Sequence, residues 1–193
     1  MANVDELTSS PPSPLKSLHS YLANMQVEIN NDDDDGIKVY ELLKKYHGEV
    51  LWFLQDLQLT DDDVKVIAED LKNDHICTRI DLSFNKITDR GVHYLADILQ
   101  VNRTLLKLHL PENEIGDDGM LCLCEALINT NRTLTGLYVW QNNISDKSVD
   151  KIIETLQINK TLGHLVLWNN QLSGQSKERV REAIRGRNMH LIV

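Results

Sequence analysis

The chain has 193 residues, enough for one sizeable hydrophobic core and short for two independent ones. Its composition, 41% hydrophobic and 25% charged, is that of a globular protein, and no run approaches the roughly 18 apolar residues of a membrane span. The net charge of −9 is uneven: residues 1–76 carry 16 acidic and 6 basic side chains, residues 77–193 carry 13 and 14, and so acidic a head argues against nucleic-acid binding.

In chain order, MANVDELTSSPPSP lacks the basic and apolar segments of a secretory signal and reads as a disordered leader, residues 1–14, with Ser10-Pro11 and Ser13-Pro14 as linker or phosphorylation sites. Leu15, Leu18, Leu22, Met25 and Ile29 are spaced for a helix, and IKVYELLKKY for a second, which makes residues 15–49 a helical N-terminal cap. Between them, NNDDDDG (30–36) resembles a calcium loop. With Gly36 at position 6, however, position 12 falls on Leu42 instead of the bidentate Glu, so a solvated acidic loop is the better reading of Asp32–Asp35.

From residue 77 onward the chain repeats. CTRIDLSFNKI (77–87), LLKLHLPENEI (105–115), LTGLYVWQNNI (134–144) and LGHLVLWNNQL (162–172) share the pattern L-x-x-L-x-L-x-x-N-x-I/L. Their asparagines, Asn85, Asn113, Asn142 and Asn170, are separated by 28, 29 and 28 residues. The first part of each unit alternates, as a strand with one buried face does. The second part has helical spacing: Val92/Leu95/Ala96/Leu99, Leu121/Cys124/Leu127/Ile128 and Val149/Ile152/Ile153/Leu156. No unit can bury its own stripe, so the units must stack into a solenoid. An earlier unit is half hidden: TDDDVKVIAEDLKN matches TDRGVHYLADILQV, and VLWFLQDLQL keeps Trp52, Leu54 and Leu59 in phase, with Leu57 where Asn belongs. GQSKERVREAIRG (174–186) predicts a last helix ending at Gly186, and MHLIV the start of a closing strand, so residues 174–193 read as a C-terminal capping helix and tail.

This pattern resembles the leucine-rich repeat, and its 28/29-residue step resembles the ribonuclease-inhibitor-like class, which includes tropomodulin, the Ran GTPase-activating protein and NOD-like receptor repeats. The resemblance covers residues 50–173. It implies an α/β solenoid, a short curved horseshoe with parallel strands concave and helices convex, and an asparagine ladder of Asn85, Asn113, Asn142 and Asn170 bonding bare backbone at the turns.

Other motifs read as structural. Sequons at Asn102, Asn131, Asn143 and Asn159 lack a signal peptide, and three of them mark helix-to-strand turns, where Asn tolerates left-handed backbone. Cys77, Cys122 and Cys124 cannot all pair within one chain, which suits reduced thiols in the cytoplasm. No phosphate loop, dinucleotide glycine motif, nucleophile elbow or metal-ligand spacing is present, so no cofactor, metal or catalytic residue is expected. Asp81 and His109 share a column, where a carboxylate could orient an imidazole, but only Ser83 is near as a nucleophile.

Within each unit, positions 4 and 6 point into the core, so 3, 5 and 7 point away from it. Position 3 carries Arg79, Lys107, Gly136 and His164; position 5 carries Asp81, His109, Tyr138 and Val166; position 7 carries Ser83, Pro111, Trp140 and Trp168. Position 8, at the strand exit, carries Phe84, Glu112, Gln141 and Asn169. With strands about 4.8 Å apart, Trp140 and Trp168 should stack. Tyr138 and Val166 extend this apolar patch, and Arg79, Lys107, Asp81, His109, Glu112 and His164 supply polar surroundings. Aromatics flanked by charge suit a protein partner, which predicts a monomeric, cytoplasmic, non-catalytic scaffold or signalling adaptor that binds protein or peptide on its concave face. The rival expectations are an enzyme or GTPase regulator (inhibitor or activating type) and a tropomodulin-like actin-binding protein.

Overall fold

A computed structural model of the chain describes residues 39–193. The leader at 1–14, the first helix expected within 15–49, and the acidic loop at 30–36 lie outside the described residues. Helix α1 (Val39–Tyr46) is the second of the two helices expected before the repeats. It buries Val39, Leu42, Leu43 and Tyr46 in the core. Its Tyr46 hydroxyl donates to the Phe53 carbonyl, and its ring lies 6.4 Å from that of Trp52.

Strand and helix then alternate: β1 (Leu51–Phe53), α2 (Asp61–Asn73), β2 (Arg79–Asp81), α3 (Asp89–Val101), β3 (Lys107–His109), α4 (Asp117–Asn129) and β4 (Gly136–Tyr138). A 3-10 turn, Asp146–Ser148, leads into α5 (Val149–Ile158), followed by β5 (His164–Val166), α6 (Gly174–Ala183) and β6 (His190–Ile192). The six strands form one parallel sheet in sequence order. Each pairs with the next position for position, as in Arg79 with Lys107, Lys107 with Gly136, and Gly136 with His164. The half-hidden first unit therefore supplies a strand in register with the others, and the closing strand forms as expected. Aliphatic side chains at positions 4 and 6, from Ile80 and Leu82 to Leu165 and Leu167, meet helix residues such as Val92, Leu99, Ile152 and Leu156 in one core. Strands sit about 4.8 Å apart while packed helices need about 8–10 Å, so the sheet takes the inside of the curve.

Three polar rails hold the units together. The first is the expected ladder. The Asn85 carboxamide oxygen accepts from the amides of Leu57 and Leu59, and its NH2 donates to the carbonyls of Leu54, Leu82 and Ser83. Asn113, Asn142 and Asn170 repeat this, each accepting from the preceding unit: Ile87, Ile115 and Ile144.

The second rail corrects the sequence reading. Asn102 and Asn159 are extended, not left-handed, at φ −67° and −76°. Asn102, Asn131 and Asn159 are all buried. Each accepts from backbone amides at its own turn, as Asn131 does from Thr133 and Leu134, and donates to the preceding unit, as Asn131 does to Leu99. Asp74 holds the equivalent place in the first unit, accepting from Ile76 and Cys77. The next residues, Arg103, Arg132 and Lys160, donate to carbonyls at the end of the preceding helix, where cations are favoured. Left-handed backbone falls instead at position 8 of every unit, on Asp56, Phe84, Glu112, Gln141 and Asn169 with φ of 51–59°, and outside it on Gln58, Gly48 and Gly186.

The third rail joins helix starts. The carboxylate of Asp61 accepts from the Thr88 amide and hydroxyl and from the Gly91 amide. Asp89 accepts from Gly116, Asp117 from Ser145, and Asp146 from Ser173. A Cβ at Gly91 would lie 2.5 Å from the Asp61 carboxylate and 2.8 Å from Ile87. Gly91→Ala should therefore displace this staple and cost about 1–3 kcal/mol, visible as a lowered melting temperature; an unchanged melt would show that the staple has room to yield.

Helix α4 also corrects the expected stripe. Met120, Leu123, Cys124 and Leu127 are buried, while Leu121 and Ile128 are only partly covered. Gly119 sets this phase by packing against Asp89, 2.6 Å from where its Cβ would stand. Helices α3 and α4 both have 13 residues, and α4 is followed by one additional residue, the exposed Thr130, before Asn131. The extra residue of the 29-residue unit is thus taken up on the outer side of the fold, and all three rails keep their phase.

Candidate functional site

Strand alternation puts positions 3, 5 and 7 on the concave face. The indole rings of Trp140 and Trp168 stack with centroids 4.9 Å apart and an interplanar angle of 12°. Trp140 is half-buried between Trp168 and Phe84, whose ring meets it edge-on at 6.2 Å. Trp168 is 41% exposed, a large apolar surface left in water. Neither ring is needed to fill the core.

A second stack lies beside the first. His109 and Tyr138 are 4.1 Å apart and nearly parallel, at 13°. The Tyr138 ring leans back over Gly136, where a Cβ would come within 2.9 Å of it, so glycine makes room for the ring at position 3. Burial pushes the His109 imidazole down to about 4, with Arg79 and Lys107 adding to the shift and Asp81 opposing it, so the ring is neutral at pH 7.

Of the remaining predicted site residues, Lys107 and His164 are exposed, and Arg79 and Asp81 are half-buried 3.8 Å apart. The Arg79 guanidinium also lies 6.0 Å from the centre of the Phe53 ring. Glu112 sits at the left-handed strand exit, and burial raises its carboxyl above the ordinary value. Val166 departs from the expectation: it shares the face but is only 5% exposed. Tyr138 pairs with it in register on one side and Ile192 on the other, which leaves this short side chain at the bottom of a trough.

Asp81 and His109 are in register but do not form a relay. The Asp81 carboxylate accepts from the Ser83 hydroxyl at 2.5 Å and from its amide, while His109 Nε2 is buried without a partner among the described residues. The thiols of Cys77 and Cys124 are pushed up to about 12 by burial, which makes them poor nucleophiles. Among the described residues, no three His, Cys, Asp or Glu side chains converge as metal ligands, and no helix is long and apolar enough to cross a membrane.

The sequence columns missed members of this face at both ends of the sheet. Phe53 and Leu51 come from β1, and His190 and Ile192 from β6. Stepping back 28 residues from Asp81 and Arg79 would have found the first two.

A family model described as leucine-rich repeat matches residues 78–96 and 101–124. No curated protein matches the chain. Among solved structures, the fold is similar to leiomodin-1 actin-binding site 2, with a TM-score of 0.63 at 20% identity over 78% of this chain and 86% of that one. It is also similar to the tropomodulin C-terminal domain of Caenorhabditis elegans, with a TM-score of 0.57 at 12% identity over 79% and 93%. At such identities the likeness concerns fold. With the family model falling on the central units and the turn asparagines bonded from unit to unit, this chain has the leucine-rich-repeat fold, in its ribonuclease-inhibitor-like form of strand and helix.

Proposed function

We propose that the chain is a non-catalytic protein-binding module, a monomeric cytoplasmic adaptor or regulator whose concave face holds a protein or peptide. The observation that carries this reading is the stacked Trp140–Trp168 pair, whose outer ring is left open to water at a place where the core does not need it. Tyr138 continues the apolar surface above the buried Val166, and Arg79, Lys107, Asp81, His109, Glu112 and His164 frame it. Exposed tryptophans within a polar frame are the residues that dominate interface energetics. Affinity capture from native lysate tests it: Trp140→Ala/Trp168→Ala should weaken the captured partner at least tenfold, about 1.4 kcal/mol or more, with the circular-dichroism spectrum unchanged. Equal capture by a folded double variant would place the interface elsewhere.

A narrower reading has its own support. One structural neighbour is an actin-binding site of leiomodin-1. Actin binding is therefore the first candidate to assay, by the effect of the protein on pointed-end polymerisation kinetics. Unaltered kinetics at micromolar protein would dismiss actin and leave the adaptor reading in place.

A further inference from the structure

The position-3 column differs in chemistry from the position-7 column. From β2 to β6, position 3 reads Arg79, Lys107, Gly136, His164 and His190, with no acidic side chain. Lys107 is exposed and makes no salt bridge among the described residues. The His164 and His190 rings are both exposed, with centroids 5.6 Å apart. Asp81, the one carboxylate at position 5, is already held by Ser83 and Arg79. The opposite border is aromatic: Phe84, Trp140 and Trp168. Two parallel borders thus run across the strands: one carries Arg79 and Lys107 and no carboxylate, and the other carries the aromatic rings, with Glu112 at the exit of β3.

We propose, building on the concave-face reading above, that the element bound there is an amphipathic α-helix lying across the strands, its acidic stripe against the position-3 column and its apolar stripe against the Trp140–Trp168 stack. Three dimensions fit. Strands recur about every 4.8 Å and helix turns every 5.4 Å, so one turn of ligand meets about one strand. Positions 3 and 7 are about 13 Å apart along a strand, close to the 10–12 Å diameter of a helix with its side chains. Six strands span about 24 Å, which is about 16 helical residues.

Backbone chemistry favours the same occupant. Inside the sheet each strand is already paired with its neighbours, so a peptide crossing the face finds no free ladder to join. An extended peptide there would lose water from its amides without replacement bonds; a helix brings its own. The charge pattern selects the acidic stripe, since a basic one would face Arg79 and Lys107.

The test is selection from a displayed library of randomised 16-residue peptides against the folded described region in its full chain. Selected sequences should place Asp or Glu at i, i+3/i+4 and i+7 on one stripe, with Leu, Phe or Met on the adjacent one. Synthesised binders should lose at least tenfold affinity on Lys107→Glu, on Trp168→Ala, and on a proline placed mid-sequence. Both protein substitutions are at exposed side chains, and circular dichroism verifies the fold. Binders that are basic, that alternate with period two, that tolerate the proline, or that ignore Lys107→Glu would overturn the helix assignment. If such binders still require Trp168, the concave-face reading stands and only its occupant changes. If no binder depends on Trp168, both fall.

Discussion

Replacing Asn85 with alanine should cost about 4 kcal/mol, a large part of the stability of a domain whose whole stability is of the order of 5–15 kcal/mol. The side chain is buried, and its carboxamide serves five backbone groups: it accepts from Leu57 and Leu59 and donates to Leu54, Leu82 and Ser83. Alanine takes the acceptor from the two amides and the donor from the Leu54 carbonyl, in a place where each orphan costs about 1–3 kcal/mol, while the Leu82 and Ser83 carbonyls keep the donors Asn113 and Asp56. The lesion also has direction. Units in a solenoid contact only their neighbours, and Asn85 joins the first unit to the second alongside the β1–β2 pairing and the Asp61 staple. Urea titration should show a lowered midpoint and a broadened transition as β1 and α2 melt ahead of the later units. Asn143→Ala supplies the control, since that side chain is exposed and its recorded bond is to Gln171; it should stay within about 0.5 kcal/mol of the parent. An Asn85→Ala midpoint near that of the control would mean that water replaces the carboxamide.

The second large effect is a dependence on pH. Burial holds the folded His109 imidazole at about 4, against 6.5 for an unperturbed one. The unfolded chain therefore takes up a proton on falling through about 6.5, while the folded chain resists until about 4. Stability from this group is complete above that window and is lost as the pH drops across it. The full shift corresponds to about 3 kcal/mol, and partial solvent contact should reduce it to about 2. His109→Phe keeps a ring to stack on Tyr138 and removes the buried, unpartnered Nε2. It should raise stability at neutral pH and flatten the decline between pH 6.5 and 4. Parallel curves for parent and variant would show that another group carries the acid loss. Further down the scale lie Asp61 and Asp117. Burial pushes their carboxyls up, but hydrogen bonds from Thr88, Arg90 and Gly91, and from Ser145 and Ser148, outweigh it and hold them below the ordinary value. Their contribution is present above the ordinary carboxylate range and disappears only as the pH falls through those lowered values.

What could be read without coordinates followed from periodicity. The 28/29-residue step placed β1 to β5, whereas β6 follows β5 by 26 residues and was read from MHLIV alone; the Asn85 ladder is as expected because one residue type recurred where backbone must be satisfied. Trp140 and Trp168 stack because equal positions on adjacent strands have little freedom to separate. The failures occurred where two physical roles share a residue type. Asn102, Asn131 and Asn159 suit either a left-handed turn or a buried double bond to neighbouring turns, and only burial decides between them. The third rail was hidden because an aspartate at a helix start already has a local explanation as a favourable charge. In α4, GMLCLCEALIN is apolar on nearly every side, so no stripe stands out; the close approach of Gly119 to Asp89 sets the phase instead. Val166 lies on the predicted face, but a strand pattern gives direction and not depth, and its larger neighbours Tyr138 and Ile192 decide the latter.

Thr130 gives the architecture a property beyond stability. The extra residue enters after α4, where the chain is exposed and no rail passes, and the positions that bond to neighbouring units remain in step. Length is therefore tolerant at one point of each unit and rigid at the others. A lineage of such chains can gain or lose single residues at the outer helix ends without disturbing its inner surface. It can also lengthen by duplicating a block that starts and ends at equivalent rail positions, such as Asp89 to Gly116, because each new junction meets the same donors and acceptors as the old. The interior face can then widen strand by strand while its chemistry is edited independently, one exposed position at a time.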